Sequence, residues 1–122
     1  MDNVKEPASP FGRRLREFRK AKFLNQKQLA DMVGLDFTYL SKIETGTMPP
    51  PTVETIRKLA EALHVPPDEL ILLAGKFPED LRAVAGKTIM PDLLRAIKDS
   101  KISDEQLKAL VELLKSCKPE QK

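Results

Sequence analysis

A chain of 122 residues, 41% hydrophobic and 32% charged, has the length of one compact domain with a small appendix and is too mixed for a fibrous or low-complexity protein. Its single cysteine, Cys117, excludes an intrachain disulfide and points to a reducing compartment. A net charge of +3 admits an anionic partner without demanding one.

Residues 1–8 are polar and read as a flexible terminus. They lack the apolar segment of a signal peptide. Ser9 and Pro10 then suit the cap and first turn of a helix, and Phe11, Leu15 and Phe18 recur at helical spacing as far as about Ala21. Asn25 opens a second helix, with Gln28 placed to complete a capping box. Leu29, Met32 and Val33 are its expected apolar stripe, and Gly34 its left-handed stop. Asp36 caps a third helix, which turns Leu40 and Ile43 inward and ends at Gly46. The prolines of TMPPP, Thr47 to Pro51, cannot continue a helix. Thr52 caps a fourth helix with Ile56, Leu59, Ala60 and Leu63 on its core face. His64 stands where a glycine would commonly close it. A fifth helix runs from about Pro67 to Ala74.

Beyond Gly75 the pattern loosens. PEDLRAVAG and PDLLRAIKD each read as a helix. SDEQLKALVELLKS reads as a third, with a capping box from Ser103 to Gln106 and one apolar face of Leu107, Leu110, Val111 and Leu114. No segment reads as a strand, so the expected fold class is all-α. The expected organisation is residues 1–8 flexible, 9–75 a five-helix domain and 76–122 a helical segment. A helix of roughly 15 residues is marginal alone in water, so the last one needs a surface to pack on. A second copy of itself is the preferred surface, giving a homodimer through Leu107, Leu110, Val111 and Leu114. The alternative is the amino-terminal domain.

The stretch from Gln26 to Ile43 carries a fixed spacing. Two helices crossing through a short turn need a small residue at the crossing, Ala30. They need a residue tolerant of positive φ in the turn, Gly34, and apolar anchors on both sides, Leu29, Val33, Leu40 and Ile43. That set is the pattern of a helix-turn-helix. Charge gathers in the same place. From Phe11 to Thr45 eight Lys/Arg face four acids, whereas from Gly46 to Gly75 two bases face four acids.

Through LREFRK, NQKQLADMVG, YLSKIETG, PPPTVETIRKLAEALHV and DELILLAG, residues 11–75 resemble the Xre family of helix-turn-helix proteins, the class of phage Cro and phage repressors. The resemblance implies double-stranded DNA as partner, with the third helix in the major groove. Phe37, Thr38 and Lys42 then stand at base-edge positions. Gln26 matches a position on the sugar–phosphate backbone, and Lys27, Tyr39, Ser41 and Thr47 flank it or touch phosphate. Arg19 and Glu44 resemble a structural ion pair. Relatives often carry Gln or Ser where Phe37 stands; Phe donates no hydrogen bond but fits a thymine methyl. Phe37 is otherwise a core residue, Lys42 a ligand of guanine or of phosphate, and Tyr39 a packing residue or a phosphate contact. Arg13, Arg14 and Arg16 are phosphate contacts or a solvated face.

His64 has no Cys or His at metal-ligand spacing, so no metal is expected, and no cofactor motif occurs. Nucleotide-loop, serine-elbow and zinc-protease motifs are all missing, which argues against an enzyme. No run of about 18 apolar residues offers a membrane span, and a cytoplasmic protein is expected. The expected function is a dimeric, sequence-specific transcription regulator, a repressor on an inverted-repeat operator. The rival expectation is an antitoxin whose residues 76–122 cap a toxin. A protein anti-repressor or a protease acting on the tail is a further partner to consider.

Overall fold

The computed structural model describes residues 9–117, so the expected flexible terminus, residues 1–8, lies outside the described residues. Among these residues eight α-helices follow one another: α1 Pro10–Ala21, α2 Gln26–Val33, α3 Phe37–Thr45, α4 Val53–Leu63, α5 Asp68–Leu73, α6 Arg82–Ala85, α7 Met90–Ser100 and α8 Asp104–Ser116. A 3-10 turn, Glu79–Leu81, leads into α6. Among the described residues there is no strand, and the fold is all-α.

The helix boundaries follow from capping chemistry. Ser9 Oγ accepts the Gly12 N–H at 3.1 Å. Asn25 and Gln28 exchange hydrogen bonds of 2.7 and 2.8 Å in a complete capping box. One Asp36 carboxylate oxygen accepts the N–H groups of Thr38 and Tyr39, and Thr52 accepts that of Thr55. Each cap satisfies donors that a helix start would otherwise leave orphaned. Gly34 and Gly46 end α2 and α3 at φ 75° and 88°. His64 ends α4 at φ 59°, in a conformation that glycine adopts at lower cost.

The chain divides into two compact units, Met1–Arg82 and Ala83–Lys122. In the first, Phe11 and Leu15 of α1, Leu29 and Ala30 of α2, Leu40 and Ile43 of α3, Ile56, Leu59 and Leu63 of α4, and Leu70 and Ile71 of α5 form one sealed core. Ala30 lets α2 approach its neighbours closely, as the spacing required. Gly12, buried in α1, does the same work against α3: a Cβ there would collide with the Glu44 and Ile43 carbonyl oxygens. The stripe expected on α2 needs one correction. Met32 is 55% exposed, and Ala30 takes its place beside Leu29 and the half-buried Val33. The residues at 29, 30 and 33 span one sector of the helix, and position 32 falls on its flank.

The second unit contains α7 and α8 and, among the described residues, buries no side chain fully. Ser103 and Gln106 form the capping box that starts α8, with bonds of 2.9 and 3.1 Å. Ile97 and Leu107 are half-buried, whereas Leu93, Leu94, Leu110, Val111 and Leu114 stand exposed. No helix among the described residues is long and apolar enough to cross a membrane.

Candidate nucleic-acid interface

Between α2 and α3 lie only Gly34, Leu35 and Asp36. Gly34 reverses the chain, the Leu35 N–H donates to Ala30 O at 2.9 Å, and Asp36 caps the helix that follows. The connection is therefore hydrogen-bonded at both ends and holds α3 at a defined angle. On α3 the residues spaced i, i+3, i+4, namely Leu40, Ile43 and Glu44, are buried. Thr38 and Lys42, spaced i, i+4, share the opposite, exposed face. Phe37 lies at its edge and is 50% exposed, outside the core cluster. Tyr39 is half-buried against that core, and Ser41 is half-buried. Thr47 is exposed just beyond α3, with its Oγ1 3.0 Å from Thr45 Oγ1.

Beneath this face lies a polar cluster. Arg19 donates from Nε to Glu44 Oε2 at 2.6 Å and from Nη2 to Oε1 at 2.9 Å, a two-pronged pair sealed from water. Arg19 Nη1 also donates to Leu24 O at 2.8 Å. Gln26, the first residue of α2, donates its side-chain amide to Glu44 Oε1 at 3.0 Å. One carboxylate thus ties the start of α2 to the end of α3 and to α1. The resemblance pairs Arg19 with Glu44; the third partner, Gln26, was not legible because it lies 18 residues from Glu44 and only the crossing of the helices brings them together. The Gln26 backbone N–H, in the first turn of α2, has no intrahelical partner to find.

Lys27 is exposed and 3.6 Å from Asp31, a surface pair of little energetic weight. Arg14 is engaged within the domain. It pairs with Glu69 at 2.8 Å and Glu17 at 2.9 Å and lies 4.1 Å from the centroid of the Phe18 ring. Hydrogen bonds to Glu69, then to Glu17, raise its pKa above the ordinary value. It clamps α1 to α5, whereas Arg13 and Arg16 are exposed. In the second unit Leu110, Val111 and Leu114 (69% exposed) share one face of α8 with the half-buried Leu107.

Among the described residues no group of His, Cys, Asp or Glu is placed to hold a metal ion. The exposed surface of α2 and α3 combines hydroxyl, amide and ammonium donors with one aromatic ring on a rigid support. Such a set suits polyanion backbones and base edges.

A family profile described as helix-turn-helix matches residues 15–70. The uncharacterized HTH-type transcriptional regulator RghRB of Bacillus subtilis is 46% identical over 77 residues, which cover 61% of this chain and 55% of that protein. The chain thus spans little more than half the length of that relative. The cryptic phage CTXphi transcriptional repressor RstR of Vibrio cholerae is 34% identical over 103 residues, covering 84% of this chain and 82% of RstR. Among solved structures, the restriction-modification controller protein C.AhdI of Aeromonas hydrophila is 47% identical, covers 49% of this chain and 89% of its own, and superposes with a TM-score of 0.46.

Proposed function

The chain belongs to the helix-turn-helix family of transcriptional regulators, and we propose that it is a repressor that reads an inverted-repeat operator as a homodimer. The observation that carries the reading is the exposed face of α3, Thr38 and Lys42 with Phe37 at its edge, braced from behind by Leu40, Ile43 and the Arg19–Glu44 pair. Base reading needs side chains held in register, and a face supported by a sealed core supplies that.

In this reading α3 enters the major groove. Lys42 donates to guanine O6 and N7, Thr38 bonds a base edge, and Phe37 covers a thymine methyl. The start of α2 grips a phosphate through the Gln26 backbone N–H and the positive end of the helix dipole. Lys27, Tyr39, Ser41 and Thr47 line the flanking backbone. The first unit reads DNA and the second assembles the dimer. An apolar α8 face of the half-buried Leu107 with Leu110, Val111 and Leu114 supports that division of labour. One recognition helix covers about four base pairs, so two are needed for useful specificity, spaced about 10 base pairs apart. Occupancy of such a site over a promoter would exclude polymerase.

Selection of bound fragments from random duplex DNA tests the proposal. An enriched inverted repeat with half-sites one helical turn apart is expected. A single short half-site would remove the symmetric dimer and give the α8 face to a different protein partner. No enrichment at about 100 mM salt would overturn DNA reading itself.

A further inference from the structure

Phe23 is 93% exposed, more than any other large apolar side chain among the described residues. Its backbone is left-handed, at φ 59°, a region that a bulky residue rarely enters. Glycine would make the same turn more easily and expose no ring. Folding of the domain therefore does not account for a phenylalanine here, since the ring joins neither the core nor its partly buried margin.

The turn that carries Phe23 is held firmly. The Phe23 N–H donates to Lys20 O at 2.9 Å and the Leu24 N–H to Arg19 O at 3.2 Å. Leu24 O accepts from Arg19, the same side chain that holds Glu44. Phe23 is thus fixed three residues before Gln26 and two before the cap of α2. Its charge setting is one-sided. From Phe18 to Ala30 there are four basic residues and no acid. Arg19 is neutralised by Glu44, and Lys20, Lys22 and Lys27 are exposed, Lys27 with Asp31 3.6 Å away.

An exposed ring among solvent-facing lysines, beside a helix start, complements one kind of surface. Phosphates take the ammonium groups, and the C–H face of a deoxyribose takes the ring. We infer that Phe23 packs on the sugar of the DNA backbone next to the phosphate held at the start of α2, lengthening the interface away from the bases. The inference rests on the DNA-reading function proposed above. A contact to sugar carries no sequence information, so it adds affinity for every duplex alike.

The test uses the full chain, the selected operator and an unrelated duplex, with binding followed by fluorescence anisotropy and folding by thermal melting. Phe23→Gly should raise the melting temperature, because it relieves the left-handed strain. It should also weaken binding to both duplexes by about fivefold to tenfold, the effect of uncovering part of one aromatic face. Phe23→Asn, which tolerates the left-handed turn, should lose as much, and Phe23→Tyr should retain affinity. A Phe23→Gly variant that melts higher and binds as tightly as the parent overturns the inference. Should Thr38→Ala still impair operator binding in that case, the DNA-reading function stands and only the role of Phe23 falls. A parent protein that binds neither duplex removes both.

Discussion

Arg19→Met is the sharpest test of how the two reading helices are held. Glu44 is buried to 2% exposure and accepts three hydrogen bonds, two from Arg19 and one from Gln26. Methionine keeps most of the volume and removes both charge-assisted bonds, so a carboxylate remains in the core with one amide partner. Breaking a buried pair on one side costs about 3–5 kcal/mol, because the remaining charge stays desolvated. A unit of this size has a total stability of roughly 4–10 kcal/mol, so this single change removes a large share of it. The melting temperature should fall by at least about 12 °C, at about 4 °C or more per kcal/mol. Urea unfolding followed by circular dichroism measures the loss, and thermal melting checks it. The double variant Arg19→Met, Glu44→Leu removes both charges and should recover most of the stability, since a buried pair replaced by apolar groups is close to neutral. Losses below about 1 kcal/mol for Arg19→Met, or a double variant less stable than the single, would refute the reasoning.

Gly12→Ala should destabilise the first unit although alanine is the better helix former, because the added methyl meets backbone carbonyls of α3 that have no room to retreat. A lower urea midpoint of α-helical signal, by an amount matching about 1–3 kcal/mol, is the expected reading. Lys42→Ala should relax base preference at one operator position and cost about 1–3 kcal/mol there. A parallel Gln26→Ala variant should weaken all sequences alike, and competition binding against single-base operator variants separates the two. Leu110→Asp should leave the helical signal of the first unit intact, shift the protein towards monomer in sedimentation, and weaken binding to the full repeat more than binding to a single half-site.

Much of the fold was legible because it is written in short-range chemistry. Ser9, Asn25, Asp36, Thr52 and Ser103 each act on residues two or three positions ahead, so their caps are visible in the sequence. Gly34 and Gly46 likewise mark stops that depend on one backbone dihedral. His64 shows the limit of that reading: its place at a helix end is legible, and its left-handed backbone is seen only in the folded chain.

Packing sets placements on which the sequence is silent. Phe37 lies half outside, whereas Tyr39 turns against the core, though both are aromatic and only two residues apart. Met32 faces solvent because the sector containing Ala30 is the one pressed inward. Arg14 is spent on Glu69, 55 residues away. What the sequence determined by itself was where the capped helices α1 to α4 and α8 start, where Gly34 and Gly46 stop α2 and α3, and that an alanine and a glycine at helix-turn-helix spacing join α2 to α3. Tertiary structure alone decided which faces turn outward, that Gln26 shares Glu44 with Arg19, that Gly12 must lack a side chain, and that Phe23 carries one into solvent. The physical reason is range: a cap is settled within one turn of helix, whereas a shared carboxylate or a close crossing exists only once distant segments have been packed together.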